Sequence, residues 1–261
     1  MTVLSVDNCL IDEPISAKNS LIFNKNGART AEVRRLWRSA DAVCFDVDST
    51  VCQNEAIDDF AEFLGKSEEV AACTRDAMTG QITFREALER RLDLMQPTRE
   101  KLMMFKQMHA VCLTPGIVEL VETLQRRHVD VYLVSGGFRI FIRPVAELLG
   151  ISVTNIFANE ILFDANGHYV GFDRTELTSD SGSKSVGKAG VCGLLKASKN
   201  YETIIMVGDG ATDAEASPPA NAFIGFGGNQ VRDTVRKLTD WYVMHFDELR
   251  QELLDESDGI K

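Results

Sequence analysis

The stretch Phe45-Asp46-Val47-Asp48-Ser49-Thr50 follows directly on the apolar run Ala42-Val43-Cys44, and its reading decides the fold. Alternate residues of a strand point the same way, so Asp46 and Asp48 at the carboxyl end of such a strand face one site together. Asp and Ser also cap helices and shape turns, so the stretch alone fits a strand that runs into a capped helix start equally well. The rest of the chain has to separate these two readings.

Working outward, Val43 to Val47 reads as the first core strand, preceded by a short amphipathic helix over Ala31–Ala40. Residues 1–30 lack clear periodicity and read as a flexible N-terminal arm. From Glu55 to about Ala110 apolar residues recur at helical spacing (Ile57, Phe60, Phe63, Leu64, then Phe84, Leu88, Leu92, Met95), with Gly80 and Pro97 as breakers. This predicts a helical cap, residues 55–110, inserted into an α/β core formed by residues 31–54 and 111–261.

Thr114-Pro115-Gly116 marks the return to the core, followed by a helix to about Arg127 and a strand over Val129–Val134 that ends in Ser135-Gly136-Gly137. After a helix to Gly150, residues Ile156 to Phe172 read as a β-hairpin around Asn166-Gly167. A further helix leads to the strand Thr203–Val207, which ends in Gly208-Asp209-Gly210-Ala211-Thr212-Asp213, and short strands follow near Ala222–Ile224 and Trp241–Val243. The alternation predicts an α/β fold with a doubly wound, mostly parallel sheet. Ligands of such sheets lie beyond the carboxyl ends of the strands, where DVDST, SGG and GDGATD converge. That convergence favours a site over a simple turn.

Composition bounds the partners. With 44% hydrophobic and 26% charged residues in 261, the chain is an ordinary globular one, and no apolar run is long enough to span a bilayer. A net charge of -11 and a pI near 4.9 argue against nucleic-acid or anionic-membrane partners. The six cysteines are scattered without a CxxC pair, which suits reduced core residues, and the acidic start lacks a secretory pattern. The cytoplasm is the expected location; oligomeric state is not fixed, a homodimer being one option.

Acidic clusters at neighbouring strand ends repel unless a cation sits between them, and all-oxygen ligands suit Mg²⁺. Asp46, Asp48 and Asp209 form the carboxylate-rich corner. With the charge neutralised, Asp46 can attack phosphorus as a nucleophile while Asp48 gives and later takes a proton. Ser135 with the amides of Gly136 and Gly137 makes an anion cradle, although the same residues also end strands in ordinary turns.

FDVDST, the hydroxyl residue ending a second strand, a downstream lysine and GDGATD occur in the order found in the haloacid-dehalogenase-type aspartate phosphatases, which the chain resembles. AMTGQITFREALERRLDLMQP, LTPGI, VSGGF, IFANE and GDGATDAEASPPANAFIGFGGN narrow the resemblance to the phosphoserine phosphatases, over about Arg35 to Leu254. It implies hydrolysis of the small-molecule substrate O-phospho-L-serine through an aspartyl-phosphate on Asp46, the last step of serine biosynthesis. It also implies Mg²⁺ held by Asp46, Asp48 through its backbone carbonyl, and Asp209, with Asp213 orienting the metal's surroundings. Asp213 equally suits a helix N-terminus. By the same resemblance Glu55 reads the substrate ammonium, Arg91 clamps its carboxylate, Met78 lines the pocket from the cap and Thr212 joins the phosphate contacts. On pattern alone Glu55 and Arg91 are solvated helix charges and Met78 is a packing residue.

The chain departs from the family around its lysine. Lys184 and Lys188 compete for the phosphate: counting back from GDGATD favours Lys188, counting forward from the hairpin favours Lys184. A loop absorbs four extra residues more easily than a packed helix does, which favours Lys188. Two rival functions are a phosphatase for another small phosphomonoester and a non-catalytic phosphate or metal sensor. The first predicts no paired use of Glu55 and Arg91, and the second no inserted helical block.

Overall fold

The computed structural model describes residues 16–78 and 82–254, with side chains over 27–76 and from 82 onward. Ala42–Phe45 forms β1, buried along its whole length, as suits a central strand covered on both faces. It pairs in parallel with β2 (Asp130–Phe138) on one side and β6 (Ile204–Gly208) on the other. With β3 (Ile156–Asn159), β7 (Ala222–Phe226) and β8 (Tyr242–Val243) they build a six-stranded parallel sheet in the order β3-β2-β1-β6-β7-β8. All carboxyl ends therefore lie along one edge, and β1 and β6 bring DVDST and GDGATD side by side.

Alternation along the strands feeds two layers. Val43, Phe45, Leu133 and Ile205 pack with Trp37 of α1 (Ser16–Arg38), Leu120 of α6 (Ile117–Arg126), Ile142 of α7 (Arg139–Leu148) and Leu249 of α11 (Phe246–Leu254). Cys44, Tyr132 and Met206 face the other way, onto Val191 and Leu195 of α8 (Gly187–Lys199), with Ala214 of α9 (Ala211–Ala214) and Val235 of α10 (Asp233–Arg236). Burying each aliphatic side chain contributes roughly 1.5 to 3 kcal/mol, so these layers hold the sheet.

Between β1 and α6 the chain forms α2 (Ala56–Phe63), α3 (Ser67–Met78), α4 (Phe84–Met95) and α5 (Arg99–Met108). Thr83 and Glu86 cap α4 reciprocally, and Thr98 caps α5. The helices share their own apolar cluster, in which Phe60 and Phe105 meet Phe141 of α7 at ring distances of 5.6 and 5.2 Å. The two chain passes that join this block to the sheet run together: Cys52 pairs antiparallel with Leu113, the Gln53 N–H donates to the Cys112 carbonyl, and the Thr114 N–H donates to the Val51 carbonyl, both at 2.9 Å.

Three local expectations change. The helix expected over Ala31–Ala40 is the end of α1, which starts at Ser16, while residues 1–15 of the expected arm lie outside the described residues. The segment expected to form one hairpin divides: Ile156–Asn159 joins the parallel sheet because Ile156 and Ala158 are needed in its core, and only β4 (Ile161–Phe163) and β5 (Tyr169–Phe172) pair antiparallel. The strand expected to end at Val134 continues as β2 through Ser135-Gly136-Gly137, with a register shift between Val134 and Phe138. Among the described residues no helix is long and apolar enough to cross a membrane.

Candidate active site

Asp46 leaves β1 in an extended conformation and its Oδ1 accepts from its neighbour's N–H, Val47, at 2.8 Å. Asp48 is also extended, and the chain then turns back at Ser49, whose φ of 55° is left-handed. Both Asp48 oxygens are tied: Oδ1 accepts from the Ala56 N–H at 2.9 Å and Oδ2 from the Ser135 hydroxyl at 3.2 Å. A Cβ on Gly137 would stand 2.8 Å from Asp48 Oδ2, so this approach requires glycine. From β6, Asp209 accepts from the Thr50 hydroxyl at 3.3 Å, which stitches the two strand ends together.

Asp213, in the short α9, returns beneath Gly208 so closely that a Cβ there would fall 2.2 Å from its Cγ. Its Oδ2 accepts from the Gly210 N–H at 2.9 Å. Lys188, in the first turn of α8, places Nζ 2.7 Å from Asp46 Oδ1 and 2.6 Å from Asp213 Oδ1. Lys184 stays exposed in the preceding loop and does not line the pocket.

Asp46, Asp48 and Asp209 line one side of a cavity of about 170 Å³, and Asp213 completes a carboxylate cluster with Asp46 and Asp209. Burial is the main reason that all four carboxyls are raised, with Asp213 adding to the rise of Asp46 and Glu55 adding to that of Asp48, which reaches about 7. Burial alone would lower the Lys188 ammonium, but Asp213 and Asp46 together reverse this and hold it charged. Asp46, Asp209 and Asp213 each offer an oxygen within 4.8 Å of the others. If the four carboxylates are ionised, Lys188 and one further cation, Arg232, leave two negative charges uncompensated. That residual charge and the all-oxygen donor set fit one hard divalent cation.

The far side of the cavity comes from the helical block. Glu55 stands at the N-terminus of α2 without capping it; its Oε1 accepts from the Ser49 hydroxyl at 2.9 Å. Arg91 lines the cavity from α4, with its Nε donating to the Ala87 carbonyl at 3.3 Å. Burial lowers its guanidinium, while Asp58 pulls the other way. Ser135, Gly136, Gly137 and Thr212 line the cavity as well. Met78 ends α3, and its side chain lies outside the described residues.

Sequence reasoning missed Arg232. It reaches from the loop after β7 to Asp209 Oδ2 at 2.8 Å, with Glu55 at 3.6 Å, and so touches both sides of the cavity. Its one advance signal was the excess of acids gathered at the strand ends, which demanded cations from somewhere. Phe84, which stands over Gly136, was assigned only to helix packing.

The haloacid dehalogenase-like hydrolase model matches residues 40–221. A phosphoserine phosphatase of Bos taurus is 52% identical over 219 residues, covering 84% of this chain and 96% of its own. The chloroplastic phosphoserine phosphatase of Arabidopsis thaliana is 47% identical over 84% of this chain and 73% of its own. A solved structure of a phospho-aspartyl intermediate analogue of phosphoserine phosphatase superposes with a TM-score of 0.65 at 26% identity, covering 81% of this chain and 98% of that one. The chain belongs to the haloacid dehalogenase-like hydrolases and, among them, to the phosphoserine phosphatases.

Proposed function

We propose that the protein hydrolyses O-phospho-L-serine to L-serine and phosphate through an aspartyl-phosphate, an acyl phosphate on Asp46, with Mg²⁺ as its cofactor. One observation carries the reading: a cavity that holds the acidic corner also presents, on its opposite wall, one acid and one base, Glu55 and Arg91. Phosphoserine needs that combination beyond its phosphate, because it carries an ammonium and a carboxylate.

A carboxylate oxygen of Asp46 forms a bond to phosphorus as the bond from phosphorus to the serine oxygen breaks. Asp48, held between Ser135 and the Ala56 N–H and raised by burial, gives the leaving oxygen its proton. The now ionised Asp48 takes a proton from water, whose oxygen attacks the phosphorus, and Asp46 is released with inorganic phosphate. Lys188 holds Asp46 and is placed to meet the phosphate oxygens, and the Ser135-Gly136-Gly137 cradle offers further donors. A bound Mg²⁺ would sit among Asp46, Asp209, the Asp48 carbonyl and the neighbouring Asp213, and would supply the positive charge that lets an anionic nucleophile approach a phosphate. The helical block acts as a lid that keeps bulk water from the phosphorylated aspartate.

The free cysteines Cys44, Cys52, Cys73, Cys112 and Cys192 support a reducing compartment, and we assign the protein to the cytoplasm. The test is a panel of phosphomonoesters assayed with Mg²⁺ and with EDTA. Phosphoserine should be the preferred substrate and EDTA should abolish turnover. Preference for a phosphosugar or nucleotide, or turnover unaffected by EDTA, overturns the assignment.

A further inference from the structure

Among the described residues, four other than glycine have left-handed backbone angles: Ser49, Gln96, His128 and Asn200. Gln96 and Asn200 terminate α4 and α8, and His128 follows the end of α6, positions where a left-handed residue is ordinary. Ser49 closes no helix. It is buried, 5% exposed, between the two acidic residues of the loop and Glu55. Glycine would adopt this conformation without the steric cost that serine meets, so the serine side chain sits there against the backbone's preference.

Its backbone is committed on both sides: the N–H donates to the Asn54 carbonyl at 3.2 Å, and the carbonyl accepts from the Asn229 amide at 3.1 Å. That leaves the hydroxyl, which donates to Glu55 Oε1 at 2.9 Å. Glu55 makes no capping bond to its own helix, and its side chain is 40% exposed. Arg232 approaches the same Oε1 at 3.6 Å, beyond hydrogen-bonding distance. The Ser49 hydroxyl is therefore the short contact that fixes an otherwise free-swinging carboxylate, and it leaves Oε2 for a ligand.

We propose that Ser49 is a positioning residue that aims the Glu55 carboxylate at the substrate ammonium, and so sets the preference for phosphomonoesters that carry an amine beside the ester. The inference rests on Glu55 reading the ammonium and extends it to the residue that holds Glu55 in place. Ser49→Gly is the clean variant, because it keeps the left-handed backbone and removes only the hydroxymethyl group. Ser49→Ala, which retains Cβ, is the second.

The experiment measures kcat and KM with Mg²⁺ for phosphoserine and for its analogue lacking the amine, 3-phosphooxypropanoate. The enzymes are wild type, both Ser49 variants, Glu55→Ala and the double variant Ser49→Gly/Glu55→Ala. Each Ser49 variant should lose about 10-fold in kcat/KM on phosphoserine, mostly through KM, and under about twofold on the analogue. In the Glu55→Ala background the Ser49 change should add almost nothing. Equal losses on both substrates, or a loss confined to kcat, would show that Ser49 merely shapes the nucleophile loop. A selective loss in Glu55→Ala with none in the Ser49 variants overturns the inference and leaves the Glu55 reading standing. An unselective Glu55→Ala overturns both.

Discussion

The two walls of the cavity are built differently. On the sheet side, Asp46, Asp209, Asp213 and Lys188 are buried, and each is bonded to another residue of the corner or of the loops and helix starts at the strand ends. On the helical side, Glu55 and Arg91 are only partly buried; Glu55 has one short partner, and Arg91 holds on to a carbonyl of its own helix. Bond making needs a corner that does not rearrange, and sheet ends provide it. Selection needs contacts that the ligand itself completes.

The contrast is broken most directly at the nucleophile. Asp46→Asn keeps the shape but removes the attacking oxygen, so turnover should fall on the order of 10⁴-fold or more for every substrate, in a protein whose circular dichroism is unchanged. Residual turnover near wild type would mean that the sheet-end corner is not the reacting one. Next in size is Lys188→Ala, which should cost about 2 to 4 kcal/mol of transition-state stabilisation on all substrates, while Lys184→Ala stays near neutral. Steady-state kinetics on both variants decides it, and the opposite ranking would move the phosphate site into the loop.

A smaller and selective effect belongs to the helical wall. Glu55→Ala and Arg91→Ala should each lower kcat/KM for phosphoserine roughly 10- to 100-fold, the range of a lost charge-assisted hydrogen bond, and leave a simple aryl phosphate nearly unaffected. Similar losses on both compounds would erase the division of labour.

The smallest effect is on stability. In metal-free protein Asp48 has a folded pKa near 7, above the roughly 3.9 of an unfolded aspartate. A raised carboxyl contributes most below its unfolded pKa, and that contribution is lost as pH rises through the folded value. The melting temperature without metal should therefore fall by a few degrees from pH 6 to pH 8, and saturating Mg²⁺ should flatten the trend. Scanning calorimetry at the two pH values reads both. A metal-free protein that gains stability toward pH 8 would contradict the reading of the corner.

Most of the sheet wall was legible in the chain, because its geometry follows from short-range rules. Period-two alternation puts Asp46 and Asp48 at one strand end, and adjacent parallel strands bring Asp209 beside them. The position of Lys188 beside Asp46 was legible by counting back from GDGATD along the helix that carries it. Arg232 was not: it meets Asp209 across 23 residues from a loop with no periodicity of its own. β3 was hidden for a related reason, since the strong Asn166-Gly167 turn drew the whole segment into one hairpin, although pairing with β2 claims its first residues. The start of α1 at Ser16 also escaped, because residues 16–30 show no apolar stripe to announce a helix.

The paired chain passes at Cys52 and Leu113 have a kinematic consequence. Both covalent links between the four helices and the sheet pass through this short seam, so a rotation of the block about it displaces each residue in proportion to its distance from the seam. Glu55 is three residues from Cys52, practically on the axis, whereas Arg91 lies on α4, two helices further along the chain. Any swing of the block about this axis would leave the acid close to the phosphate corner and carry the base away from it. On the proposed roles of Glu55 and Arg91, an arriving phosphoserine would then meet the acid before the base, and the docking of its carboxylate on Arg91 would coincide with the end of the swing.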